Sequence, residues 1–249
     1  MEYFHNNTLT TYTTRLPQPL DLKGSWEVGL AEIQYPHSWF NVREGELWLE
    51  MVVGGSENHA GVEFDPGAAV RLQVKPGYYP NVIDVLEYLW GAKGMVSHGD
   101  MFRIAMDTID QRVTLTITPG LRLQLSPMLM KLLGFESTHF SEGKHIGRNM
   151  ADVRQGFYSI YVYCPLVEPQ MVGDSRVPLV RIVPIQGSPG HVTSKEFQPI
   201  HYVPLQQRQF QEIEIMLRDD TGNPIPFERG KVVVTLHFRR RSLGLISQV

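Results

Sequence analysis

Apolar and polar residues alternate most cleanly at the two ends of the chain. Trp26, Val28 and Leu30 fall on one side of a run from Ser25 to Tyr35, with Glu27 and Gly29 on the other, and Pro36 closes it. Far along the sequence, Ile213, Ile215 and Leu217 alternate with Glu212, Glu214 and Arg218. Val232, Val234, Leu236 and Phe238 then oppose Val233, Thr235, His237 and Arg239. A period of two predicts strands with one buried face. The threonine-rich run Thr8 to Arg15, with Leu9 and Tyr12, predicts another strand, which Pro17 and Pro19 are expected to end. Leu47, Leu49, Met51 and Val53 predict one more, broken by Gly54-Gly55-Ser56. Tyr158, Ile160 and Val162 form a further candidate, and so do Leu179 to Val183 before Pro184.

The middle changes period. Val82, Val85, Leu86 and Leu89 stand at i, i+3, i+4 and i+7, one apolar stripe of a helix. Pro80 suits a first helical position, and Gly91 and Gly94 are expected to supply the stop. Strands follow at Phe102–Ile104–Met106, at Val113–Leu115–Ile117 and at Leu121–Leu123–Leu125. Ser126-Pro127 then reads as an N-cap with proline in the first turn, and Gly134 as the glycine after a short helix carrying Met128, Leu129, Leu132 and Leu133.

Asp219-Asp220-Thr221-Gly222-Asn223-Pro224-Ile225-Pro226 is too long and proline-rich for a two-residue hairpin. It suits strands lying in different sheets of a sandwich, with Greek-key or jelly-roll connections. The expected architecture is mainly β: one domain built from both ends, with a small α+β unit inserted.

Composition narrows the function classes. A chain of 249 residues with 42% apolar and 20% charged residues can bury a sizeable core. A net charge of −3 argues against wrapping nucleic acid over a wide area. Cys164 is the single cysteine, so no intrachain disulfide forms and assembly inside a cell is expected. The start Met1-Glu2-Tyr3-Phe4-His5 has no signal-peptide pattern. No uncharged apolar stretch approaches the roughly 20 residues of a membrane span, which predicts a soluble protein.

Candidate chemistry is sparse. His139 and His145 stand apart from any zinc-ligand spacing, and no His-x-His pair with a nearby Glu occurs. Asp219 and Asp220, followed by Thr221-Gly222-Asn223-Pro224, read as turn residues ahead of a carboxylate pair. Neither glycine-rich nucleotide motif is present. Cys164 has no basic neighbour or adjacent histidine to activate it and reads as a small apolar residue. No catalytic, cofactor-binding or metal-binding residue is expected, and the chain is not expected to be an enzyme.

An N-terminal and a C-terminal block carry a family resemblance. Asn7-Thr8-Leu9-Thr10-Thr11-Tyr12, Leu16-Pro17-Gln18-Pro19-Leu20 and Trp26-Glu27-Val28-Gly29-Leu30-Ala31-Glu32-Ile33-Gln34-Tyr35-Pro36 resemble the penton (minor capsid) proteins of Polinton/Maverick elements and related DNA viruses of the double-jelly-roll lineage. Asp219-Asp220-Thr221-Gly222, Pro226-Phe227 and Gly230-Lys231-Val232-Val233-Val234 resemble the end of the same proteins. The resemblance implies a single jelly-roll β-sandwich from residues 1–65 and 151–249, with residues 66–150 as the inserted α+β subdomain. It implies a homopentamer at icosahedral five-fold vertices of the virion, assembled inside the host cell. The partner would be a double-jelly-roll major capsid protein, and a host receptor could meet the insert.

Two surface regions follow as candidates. Tyr35, Trp39 and Phe40 belong to the densest aromatic cluster, which is either a plug under a loop or an intersubunit anchor. Arg239, Arg240 and Arg241 form the one compact basic run, either a solvated strand end or a weak contact for DNA or an acidic subunit patch. Met1 to Asn6 and Ser242 to Val249 are expected to be arms that order on assembly. The rival reading is a carbohydrate-binding or hydrolytic β-sandwich, with a ligand cleft shaped by the insert.

Overall fold

Alternation in the sequence becomes burial in space: Val28, Leu30, Ile33 and Tyr35 are fully enclosed, as are Ile160, Val162 and Leu217. The computed structural model describes residues 6–53, 69–95 and 101–241. In chain order the strands begin with β1 (Thr11–Asp21), β2 (Trp26–Pro36), β3 (Trp48–Val53) and β4 (Ala69–Gln73). Helix α1 (Val82–Met95) precedes β5 (Phe102–Met106), β6 (Val113–Ile117) and β7 (Leu121–Leu125). Helix α2 (Pro127–Leu132) leads to β8 (His139–Phe140), β9 (Gly143–Ile146) and β10 (Ser159–Tyr163). The remainder are β11 (Gln170–Val172), β12 (Ser175–Val177), β13 (Leu179–Pro184), β14 (Val192–Glu196), β15 (Tyr202–Pro204), β16 (Gln209–Arg218) and β17 (Val233–Arg240).

The chain divides into two compact units, Met1–Trp39 with Phe157–Val249, and Phe40–Gly156. In the first, one sheet runs β1-β16-β10-β13. In the other, β2 is central, with β17 on one side and β14 followed by β15 on the other. In an eight-stranded jelly roll counted along the chain, one sheet runs 2-7-4-5 and the other 1-8-3-6. β1, β2, β10, β13, β14–β15, β16 and β17 take places 2 to 8 in that order, and every pairing agrees. The fold is a single jelly-roll β-sandwich with an α+β unit spliced between β2 and β10.

β2 holds its apolar face inward by an irregularity. Its pairing with β17 shifts between Thr235 and Leu236, which oppose Glu32 and Leu30 and leave Ala31 as the extra residue. Trp26, Val28 and Leu30 alternate on even numbers, Ile33 and Tyr35 on odd ones. The bulge at Ala31 is what lets both sets face the core. Opposite it, β14 and β15 make a similar step, and Phe197 fills the gap, its N–H donating to the Ala31 carbonyl.

The second unit has a core of its own. A four-stranded sheet β4-β3-β7-β8 and a three-stranded sheet β5-β6-β9 share one apolar cluster with both helices. Val82, Val85, Leu86 and Leu89 are the buried stripe of α1, as the spacing predicts. Ser126 caps α2, its Oγ accepting from the Leu129 N–H at 3.2 Å and from the Trp48 N–H at 3.3 Å. Gly134 ends it in the left-handed region at φ 77°.

Several expectations are corrected. Pro17 and Pro19 do not end β1, which runs to Asp21 with a register break between Arg15 and Leu20. β1 is an edge strand, so a proline there costs no ladder bond to a second neighbour. Gly91 and Gly94 do not stop α1, which continues to Met95. Asn81 rather than Pro80 opens that helix, its side-chain carbonyl accepting from the Asp84 N–H at 3.0 Å. β3, grouped with residues 1–65 in the sequence reading, hydrogen-bonds to β4 and β7 inside the Phe40–Gly156 unit. Gly54-Gly55-Ser56, the Met1–His5 part of the expected arm and the tail Ser242 to Val249 lie outside the described residues.

Candidate assembly surface

The aromatic cluster begins where β2 ends, because Pro36 stops the ladder and turns the chain over the open end of the sandwich. Trp39 stacks on His37 with ring centroids 4.0 Å apart, and meets the rings of Phe157 and Phe227 edge-on at 5.4 and 5.8 Å. The Tyr35 hydroxyl accepts from the Gln186 N–H at 2.9 Å and donates to the Gln186 carbonyl at 3.3 Å. Tyr35 and Trp39 are therefore a plug that closes the core. Phe40 differs: it opens the second unit and is 45% exposed. Of the three aromatic candidates it alone has free surface to offer a neighbour.

The arginine run does not form one patch, since successive residues of a strand point to opposite faces. Arg239 pairs with Glu27 across the ladder, and its guanidinium lies 3.5 Å from the Tyr202 ring centroid. The Tyr202 hydroxyl in turn shares a 2.9 Å hydrogen bond with His237 Nδ1. Arg240 turns the other way and lies over Gly24, where a Cβ would come within 3.4 Å of Nη2. The Arg241 N–H donates to the Ser25 carbonyl at 2.9 Å, and its side chain lines a small cavity of about 90 Å³ with Trp26, Glu168 and Arg208. All three arginines remain exposed.

Groups that could carry chemistry are engaged structurally. Asp219 Oδ1 accepts from the Thr221 N–H, the Thr221 hydroxyl and the Asn223 N–H at 2.8–2.9 Å, the turn role predicted for it. Cys164 is free and buried, and that burial pushes its thiol up to about 11, away from nucleophilic use. Burial raises the Tyr12 phenol to about 12. No group of three or more His, Cys, Asp and Glu side chains among the described residues is placed to hold a metal ion. No helix among them is long and apolar enough to cross a membrane.

Two larger recesses lie in the Phe40–Gly156 unit. One, of about 420 Å³, runs along α1 between Ile83, Glu87 and Trp90 on the helix and Ile104 and Met106 on β5. The other, also about 420 Å³, is lined by Val52, Arg122, Gln124, His139 and Phe140. Neither brings two carboxylates together, the arrangement glycoside hydrolysis requires.

No protein-family model and no curated protein matches the sequence. The solved structures similar to the chain include the crystal structure of the selenomethionine-labelled mavirus penton protein, 10% identical, with a TM-score of 0.49. The similarity covers 92% of this chain and 90% of that one.

The sequence pointed to the arginine run but missed its anchor. Glu27 and Tyr202 sit on β2 and β15, and no local signal links them to Arg239. β14 and β15 were missed too, because Phe197 and Pro199 interrupt what is in effect one strand.

Proposed function

We propose that the chain is a structural capsid protein, a penton-type capsomer whose five copies form a ring at the five-fold vertices of a virion. The observation that carries this reading is the jelly-roll order of the sandwich, with a separate unit spliced between β2 and β10. The resemblance of both sequence arms to penton proteins supports it. A jelly roll leaves loops at both ends of two packed sheets, and a closed ring needs two different complementary patches on each subunit. Neither demands a cofactor or a catalytic site.

In this reading the ring contacts a double-jelly-roll major capsid protein through the sandwich loops, and assembly takes place inside the host cell. Residues 66–150, the expected insert, lie within the unit that would face outward, and the apolar recess along α1 is its candidate receptor surface. Phe40 is the aromatic candidate for an intersubunit contact. Arg240 and Arg241 are the candidate basic contact, and any hold on nucleic acid is weak and salt-sensitive.

The test is the solution mass by light scattering at low and moderate salt, with negative-stain images of the same sample. The expected result is a mass near five subunits and a five-fold ring, with Phe40→Asp reducing the ring and leaving the circular dichroism spectrum unchanged. A chain that stays monomeric alone and also when mixed with the major capsid protein of the same virus overturns the proposal.

A further inference from the structure

The outer face of the β4-β3-β7-β8 sheet is polar, and its two halves differ. Register places Arg71, Glu50, Gln124 and His139 in one row across the four strands, with Val52 and Arg122 paired in the next. The alternate residues Leu49, Met51 and Leu125 are buried on the opposite side. In the half over β4 and β3 the charges satisfy one another. Glu50 Oε2 accepts from Arg71 Nε and Nη2 at 3.0 and 2.9 Å, and the same guanidinium lies 4.1 Å from the Trp48 ring centroid.

The half over β7 and β8 has no such closure. Among the described residues the Arg122 guanidinium, the Gln124 side-chain amide and the Ser141 hydroxyl have no hydrogen-bond or ion-pair partner. His139 engages one ring nitrogen, Nδ1, with the Thr138 hydroxyl at 2.9 Å. All four side chains belong to residues around the recess of about 420 Å³, where Val52 and Phe140 add apolar surface. No Asp or Glu stands among its described lining residues, although Glu50 is only one strand away in the same row.

We propose that this recess binds a pyranose sugar that carries a carboxylate. Free donors with no acid among them call for an anionic acceptor, and a guanidinium fork matches a carboxylate. Arg122 and Gln124 stand two residues apart on one strand face, about 7 Å, so the ligand is larger than a simple ion. The carboxylate belongs at Arg122, and ring hydroxyls belong at Gln124, His139 and Ser141. A pyranose also has an apolar C–H face, which suits Val52 and Phe140. The volume agrees, since small-molecule sites begin at about 300 Å³ and a single acidic side chain of a partner protein would leave most of this one empty. With no pair of carboxylates the recess binds a sugar without cleaving it. The inference rests on the fold of the Phe40–Gly156 unit and holds whether or not the chain forms a five-fold ring.

The test is NMR titration of the isotope-labelled full chain with two probes, methyl glucuronide and the methyl glycoside of N-acetylneuraminic acid. The expected result is saturable shifts at the Gln124 side-chain amide and at His139 to Ser141 with at least one of them. The methyl ester of that sugar, which has lost the charge, is expected to bind about tenfold more weakly. Arg122→Gln is expected to weaken binding of the acid by a similar factor, while Arg71→Gln, in the self-satisfied half, leaves it unchanged. Shifts that the ester reproduces at the same concentration overturn the proposal. So do shifts that acetate alone reproduces, since the recess would then hold an adventitious ion only. Equal loss in Arg71→Gln and Arg122→Gln overturns it by placing the sugar elsewhere on the face. Unmoved signals at Gln124 and His139 with both sugars overturn it outright.

Discussion

The two units of this chain reach a similar end by opposite routes. In the Phe40–Gly156 unit most strands pair with a near neighbour in sequence, as β5 does with β6 and β3 with β4. In the sandwich, Thr11 pairs with Met216 and Trp26 with Arg240, so the sheets close only when the two ends of the chain meet. Both units nonetheless hold a fully buried core. Each also closes on itself at the splice. Trp39 meets Phe157 in the sandwich, and the Asn41 side-chain amide donates to the Val153 carbonyl at 3.3 Å in the other unit. A self-contained insert joined through two adjacent strand ends is a part that can be exchanged without rebuilding its host.

The sharpest way to break this comparison is excision. Replacing residues 40–156 with a short glycine-serine linker is expected to leave a folded sandwich, seen as retained β circular dichroism and a cooperative melt. Loss of both would mean that the sandwich depends on its insert. Single core deletions come next. Leu30→Ala and Leu125→Ala each remove a fully enclosed side chain, at a cost of about 2–5 kcal/mol. Calorimetry is expected to show Leu30→Ala lowering only the sandwich transition and Leu125→Ala only that of the insert.

Two glycines test the same division with a smaller effect. At Gly134 a Cβ would overlap the Asn149 carbonyl, at a φ that side chains avoid. At Gly29 it would overlap the His201 carbonyl and Ile200. Alanine at either is expected to destabilise its own unit by about 1–3 kcal/mol, read from urea midpoints that report each unit separately. Ser126→Ala removes the α2 cap and is expected to cost about 1 kcal/mol in the insert alone.

The smallest effect concerns pH. Hydrogen bonds from Gln34 and Ser194 hold the Glu32 carboxyl below its ordinary value. A depressed carboxylate contributes stability above its unfolded value and loses it as pH falls through the folded one. Ser194→Ala is therefore expected to raise the Glu32 titration midpoint, measured by NMR, and to flatten the acid-side loss of stability.

Period and capping were the legible parts of this fold. The alternation of β17, the stripe of α1 and the Ser126-Pro127 start of α2 each follow from residues close in sequence, and each is found as read. What was not legible depends on distant partners. Nothing local in Leu16-Pro17-Gln18-Pro19 says that β1 lies at an edge, where prolines are tolerated. Gly91 and Gly94 would stop a free helix, yet α1 runs past them while its buried stripe packs on the insert's sheets. The aromatic run Tyr35 to Phe40 was visible, but its division into a buried plug and one exposed ring was not. The arginine run looked like a single charge cluster until the strand placed its members on alternate sides.

The splice has a mechanical meaning. The insert hangs from the end of β2 and the start of β10, and each of these is an inner strand, bonded on both sides within its sheet. The insert is therefore tethered to strands held by ladder hydrogen bonds on both sides, and not to a free edge of either sheet. The chain just beyond each strand is pinned as well, by the His37 N–H to the His191 carbonyl and the Ile185 N–H to the Tyr158 carbonyl. Whatever grips the insert would have to break two rows of ladder bonds, one on each side, to free either tether strand.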